Sequence, residues 1–348
     1  MVRGIYRVYF HPLSRFPGPK FSAFTRLPYL TAIAKGKLPR HVAQLHKQYG
    51  EIVRISPDEL SFTNPKAWRD IYGYGSKEGP GSAPPKNWNR QGSSPNGANS
   101  LVAERDNVEH ARIRRIFSPA FSDRALVQQS PLFIKYADQL IRNLRESVQA
   151  NAVDLVRMVT KRLEKGRVSE GVDLWDLVLQ QEDKGKAGLT RPVMDMNGEL
   201  FMIAGTETTA TLISGLTYLL LTHPEAMAKL VDEIRTAFSS SDDVNMEITA
   251  GLPYLNACIK EAFRHYPPVP IGLPHLTPAE GSTVCGIFVP PNTNVAASHL
   301  AMYNSPDNFI LPERFIPERW LGDPRFASDD RSALQPFHVG PRDCLGKK

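Results

Sequence analysis

Cysteine is scarce in this chain of 348 residues, and the scarcity excludes two classes of small scaffold. Cys258, Cys285 and Cys344 are an odd set without a C-x-x-C, so neither a disulfide framework nor a four-cysteine zinc site can form. One of the three can still carry chemistry as a thiolate. Acidic residues are nearly missing from the first sixty positions, which hold ten Lys/Arg against three Asp/Glu, while the whole chain is only +6. The positive excess is therefore an N-terminal feature. Nucleic-acid binding wants that charge on a folded face, so no nucleic-acid partner is expected, and a membrane surface or an acidic partner suits the segment better. An apolar leader is lacking as well: Met1 to Phe10 carries Arg3 and Arg7, and neither a signal peptide nor a transmembrane anchor is expected there. The one long apolar stretch, Leu200 to Leu221, has Glu207 near its middle with Thr206, Thr208, Thr209 and Thr211 around it. A charge at the centre of a spanning helix costs about 2.5–3.5 kcal/mol, which favours a helix buried in protein.

With 41% hydrophobic and 22% charged residues, the chain can bury a sizeable core. The patterning predicts helices over 40–49, 107–117, 132–148, 153–163, 192–223, 224–238 and 253–266, several of them opened or stopped by proline. Short strands are predicted at 51–55 and 59–62 around Ser56-Pro57-Asp58, and a further strand over Thr283–Val289. Gly73 to Ser100 holds six Gly and four Pro in twenty-eight residues and is predicted to be a long functional loop. The fold class is mainly α with a minor β-sheet, in a single domain over 1–348.

The strongest chemical signal is Phe337-His338-Val339-Gly340-Pro341-Arg342-Asp343-Cys344-Leu345-Gly346. Gly340 and Gly346 allow tight turns around Cys344, Arg342 places a positive charge near it, and Phe337 can cover one side of a sulfur. An ordinary turn around a buried free cysteine is the bland alternative. Five fixed residues at these spacings arise by chance with a probability on the order of 10⁻⁴ or less. Earlier in the chain stand Glu261-x-x-Arg264, which is expected about once by chance, and Pro317-Glu318-Arg319-Trp320. Ala204-Gly205-Thr206-Glu207-Thr208 sets a glycine, a carboxylate and hydroxyls mid-helix, which reads either as a polar face or as a place where a ligand meets a proton relay.

In this order the motifs resemble those of the cytochrome P450 superfamily of haem-thiolate monooxygenases, and Phe-Pro-Gly-Pro (16–19) with Val-Arg-Ile-Ser-Pro (53–57) resembles its filamentous-fungal secondary-metabolism members. The resemblance implies a P450 fold with haem as cofactor, iron bound by Cys344, and Phe337, Gly340, Arg342 and Gly346 in the cysteine loop around it. It implies that His110 and Arg114 bind a haem propionate, and that Ala204 and Gly205 line the oxygen-binding turn. Thr208 and Glu207 would relay protons, and Glu261, Arg264 and Arg319 would form a buried structural network. It further implies O2, an apolar small-molecule substrate, an NADPH-dependent reductase as electron donor, and a place on the endoplasmic reticulum membrane surface. At Gly272-Leu273-Pro274-His275 related sequences tend to carry a propionate-binding arginine, for which His275 could substitute weakly. The chain looks incomplete against the family. It is short between Arg114 and Thr208 and stops soon after Cys344, so the alternative is a non-catalytic remnant that holds no haem.

Overall fold

Proline and capping side chains set most helix starts. A computed structural model describes residues 1–73, 84–87, 97–146, 178 and 188–347. Within them Pro224 opens the helix Pro224–Ala237 and Pro253 opens Pro253–His265, each at a position where its missing N–H costs nothing. Asp106 caps Asn107–Phe117 by accepting the Glu109 N–H at 2.8 Å. The apolar stretch belongs to the helix Arg191–Thr222, whose 32 residues span about 48 Å at 1.5 Å each. Asp123–Glu146 starts about two and a half turns before the predicted 132–148 and carries Pro131 within it. The predicted helix 153–163 lies outside the described residues. Among the described residues, no helix is long and apolar enough to cross a membrane.

Two compact units divide the chain, one combining Met1–Asn87 with Thr208–Cys344, the other Trp88–Glu207 with Leu345–Lys348. The first holds a sheet ordered β1-β2-β6-β3, with β1 at Ile52–Ser56, β2 at Glu59–Phe62, β3 at His275–Leu276 and β6 at Asn294–Ala297. β1 and β2 are antiparallel, β2 and β6 parallel, and β6 and β3 antiparallel. All four β2 residues are buried, Glu59 and Ser61 included, because β2 is an interior strand flanked on both edges. The helix Lys66–Tyr72 contributes Trp68, Ile71 and Tyr72 to the same core as Leu60, Phe62, Val295 and Tyr303.

Part of the expected long loop is tied to this sheet. Lys86 makes an antiparallel bridge to His275, the Leu276 N–H donates to the Pro85 carbonyl at 2.8 Å, and the Asn87 N–H donates to the Pro274 carbonyl at 3.0 Å. The single strand predicted over Thr283–Val289 is instead a hairpin of β4 (Ser282–Val284) and β5 (Ile287–Val289). Its turn residues Cys285 and Gly286 both have positive φ, 52° and 76°, the conformation of a type I′ turn, so Cys285 sits in a turn rather than in a strand. The continuous apolar run concealed it. In the second unit Leu101, Ile113, Phe117, Val178, Leu189 and Met194 form the core, and the buried Asn197 side chain accepts the Leu101 N–H at 2.8 Å.

Candidate active site

Glu261 and Arg264 fall one turn apart on the helix Pro253–His265 and are fully buried. Burying a carboxylate is tolerable only when its oxygens are fully hydrogen-bonded, and five donors converge on Glu261. Arg264 donates from Nη2 at 2.7 Å and Nε at 3.0 Å, Arg319 from Nε at 3.1 Å, the Ile316 N–H at 3.0 Å and the Trp320 indole at 2.9 Å. Arg264 also donates to the carbonyls of Tyr303, Pro312 and Arg314. Arg319 pairs in addition with the buried Asp329, whose other oxygen accepts the Ile310 N–H at 2.7 Å. Two guanidinium groups thus face two carboxylates with almost no solvent. Sequence reading found three members of this network and missed Asp329, since an aspartate within Ser328-Asp329-Asp330-Arg331 carries no pattern that separates it from a solvated loop.

The chain then reaches the cysteine loop through an aromatic clamp. The Trp68 indole donates to the Ala333 carbonyl at 3.0 Å, and the Tyr303 hydroxyl accepts the Gln335 N–H at 3.1 Å. The His338 ring stands edge-on to Trp68 and Tyr72, at centroid separations of 5.1 and 4.1 Å, and 5.5 Å from His299. His338 has φ 64°, and Gly340 has φ 85° with its backbone pressed against Tyr72, where an added Cβ would lie 1.9 Å from the carbonyl oxygen. Only glycine fits there. The Cys344 N–H donates to the Phe337 carbonyl at 2.8 Å and closes the loop, while Phe337 packs edge-on against Phe263.

The three cysteines separate by environment. Burial, with the Glu318 carboxylate next, pushes the Cys258 thiol up to about 12, and burial with Asp70 does the same to Cys285. Cys344 alone is exposed. Burial is also the main cause that holds His338 down to about 3 and His299 and His275 down to about 4, so all three imidazoles are neutral near pH 7. His275 is buried, its Nδ1 faces the Pro84 carbonyl, and its ring meets Tyr72 edge-on. Arg342, Phe337, Gly340 and Cys344 share a unit with His275 and Thr208, and Thr208 is half-buried.

The second unit carries the other expected residues. His110 is buried and Arg114 half-buried on the helix Asn107–Phe117, four residues apart and so on one face. Ala204, Gly205 and Glu207 are exposed, and a Cβ added to Gly205 would meet nothing within 4 Å among the described residues. Gly346 is exposed beside Leu345 at the end of the loop.

A haem is compatible with these residues. Among the described residues no group of three or more His, Cys, Asp or Glu side chains is placed to cage a metal ion. A single exposed thiol suffices where a porphyrin supplies the remaining ligands. Arg342, two residues before the thiol in sequence, supplies a cation suited to a macrocycle with acidic edges.

The family model described as Cytochrome P450 matches residues 17–163 and 155–348, practically the whole chain. The chain belongs to the cytochrome P450 family. It is 38% identical to the cytochrome P450 monooxygenase FUM2 of Gibberella moniliformis, across 99% of this chain and 89% of the relative. It is 36% identical to the cytochrome P450 monooxygenase efuB of Hormonema carpetanum, across 100% and 84%, and 33% identical to the averantin hydroxylase of Dothistroma septosporum, across 99% and 78%. These are fungal enzymes, and the names fit secondary metabolism. The alignment with the first runs over 426 positions against 348 residues here, so this P450 is shorter within the aligned span than its relative. The two family matches meet at residues 155–163, in the stretch where the sequence predicts a shortened middle.

Proposed function

We propose that this P450 inserts one oxygen atom from O2 into an apolar small molecule of fungal secondary metabolism, with haem iron held by the thiolate of Cys344. The exposure of Cys344, against two cysteines held as thiols by burial, carries this reading. Bound haem would supply oxygen activation, and a thiolate ligand favours O–O cleavage. Phe337, Gly340 and Gly346 would shape the loop around the sulfur. Arg342, His110, Arg114 and His275 would lie toward the carboxylate edge, and Ala204 with Gly205 would admit oxygen to the helix. The Thr208 hydroxyl would hold a proton for the reaction and the Glu207 carboxylate, exposed to water, would replenish it. All of this sits in a single P450 domain over 1–348, with electrons from an NADPH-dependent reductase. At the endoplasmic reticulum surface, the exposed Val2, Ile5, Tyr6, Tyr9 and Phe10 beside Arg3 and Arg7 would face anionic lipid.

A carbon monoxide difference spectrum of the reduced protein tests the reading. The wild-type chain and Cys258→Ala should both give the long-wavelength Soret band for which the family is named, and Cys344→Ala should not. Loss of the band in Cys258→Ala alone, with folding intact, would refute the assignment. In Thr208→Ala the spectrum should persist while oxygen consumption uncouples from product and releases peroxide. Unchanged coupling would remove Thr208 from the relay.

A further inference from the structure

The two motifs that resemble the fungal branch, Phe-Pro-Gly-Pro (16–19) and Val-Arg-Ile-Ser-Pro (53–57), take no part in the site described above, yet the fold joins them. The Arg54 N–H donates to the Pro17 carbonyl at 2.8 Å. Gly18, at φ 155°, passes so close that an added Cβ would lie 2.5 Å from the Arg54 carbonyl oxygen. The Arg54 side chain is only 2% exposed, and its Nη2 donates to the Pro57 carbonyl at 2.6 Å. Its Nη1 donates to the Arg7 carbonyl at 2.8 Å. Arg7 lies in the last turn of the helix Val2–Tyr9, where carbonyls have no partner within the helix. A buried cation on β1 thus caps the negative end of a helix 47 residues earlier.

Burying a guanidinium is costly unless all its donors are met, and among the described residues Arg54 Nε has no partner. What Arg54 secures is the helix. Eight residues do not hold a helix in water unaided, and the one buried residue in Val2–Tyr9 is Gly4, pressed against the Phe24 ring, where an added Cβ would lie 2.1 Å from the nearest ring carbon. The helix also exposes Val2, Ile5, Tyr6 and Tyr9, and the Lys20 ammonium stands over the Tyr9 ring at 5.6 Å from its centroid. Apolar side chains left exposed on a docked helix, with Arg3 and Lys20 among them, suit an interface that offers both hydrocarbon and negative charge.

We infer that the two motifs form a seat, closed by Arg54, that keeps the helix Val2–Tyr9 folded and docked, so that its exposed apolar residues meet an anionic lipid surface already in place. Arg54 is then a positioning residue for membrane contact. The inference rests on the membrane-surface reading and adds the seat, which gives both motifs a task.

The test pairs amide hydrogen exchange with vesicle binding in the full chain, using phosphatidylcholine vesicles with and without phosphatidylserine. Wild type should bind the phosphatidylserine vesicles more tightly and protect residues 2–10. Arg54→Gln should speed exchange over 2–10 by about ten- to a hundredfold, as for the loss of a hydrogen bond to a charged group, with β2 and β6 unchanged. Its affinity for phosphatidylserine vesicles should fall by up to the same factor, because lipid then meets a docked minority. Arg54→Lys, which can still donate to a carbonyl, should restore part of both. Unchanged exchange over 2–10 in Arg54→Gln would overturn the seat while leaving the membrane-surface reading standing. Faster exchange with unchanged affinity would overturn the seat's role in lipid contact. Should Arg54→Gln fail to fold, Gly4→Val decides, since it breaks the contact with Phe24 although valine is intrinsically the better helix former. Faster exchange with weaker vesicle binding in Gly4→Val supports the inference, and no change in either overturns it. A wild-type chain indifferent to phosphatidylserine would overturn the membrane-surface reading and this assignment with it.

Discussion

Two supports hold the chain on its way to Cys344, and they bury ionisable groups in opposite ways. The Glu261 network keeps its groups charged, with two carboxylates against two guanidiniums and both oxygens of each carboxylate hydrogen-bonded. The aromatic clamp keeps its groups neutral: His299 and His338 pack against Trp68, and among the described residues His299 Nδ1 and His338 Nε2 are buried without hydrogen-bond partners. The difference lies in what the surrounding backbone provides. Arg264 and Arg319 are met by the carbonyls of Tyr303, Ile310, Pro312 and Arg314, so their charge is solvated by protein. The rings of the clamp meet one another's edges, where a positive charge would lie unsolvated, and the imidazoles stay uncharged. One support is therefore sensitive to the loss of any member, the other to acid.

Breaking the network should have the largest effect. Glu261→Ala strands two buried guanidiniums and should cost about 3–5 kcal/mol, measurable by denaturant unfolding if the variant folds at all. Asp329→Asn leaves the Glu261 contacts in place and removes one counter-charge, so the loss should be smaller, about 1.5–3 kcal/mol by the same measurement. An Asp329→Asn variant as stable as wild type would mean that Asp329 is a bystander.

The clamp calls for a pH series. An unfolded histidine titrates near 6.5, whereas folded His338 titrates near 3. Between these values the unfolded chain binds a proton that the folded chain refuses, so stability is full above about pH 6.5 and falls on acidification toward pH 3. His338→Asn, which tolerates the positive φ and does not titrate, should make that fall shallower by up to about 1.4 kcal/mol per pH unit. Its stability at neutral pH is a separate matter of packing. A wild-type slope unchanged in the variant would contradict the neutral burial of His338.

How legible each support was in the sequence follows from the same contrast. Glu261, Arg264 and Arg319 sit in motifs whose order along the chain gave them meaning, and the cysteine loop was plain from the spacing of Phe337, Gly340, Arg342, Cys344 and Gly346. The helix starts at Pro224, Pro253 and after Asp106 were readable, while the helix Leu27–Ala34, with Pro28 in its first turn, was not. Asp329, Lys86 and the clamp were not readable, because they act across distances in sequence: Trp68 meets Ala333, and Lys86 meets His275. A lone lysine in a Gly/Pro-rich stretch looks solvated until a strand edge is known to capture it. The β4–β5 hairpin was missed for a local reason, since Thr283 to Val289 is apolar throughout apart from its first residue and the turn glycine, and Cys285 is an uncommon type I′ residue.

Both supports act on the segment that leads to Cys344, the thiol proposed to ligate iron. X-ray absorption at the iron edge of the haem-loaded chain tests that claim most directly. The account predicts a sulfur ligand on iron in the wild-type protein and in Cys258→Ala and Cys285→Ala, and its loss in Cys344→Ala. A sulfur ligand that persists in Cys344→Ala, or that is absent from the loaded wild-type chain, would contradict it.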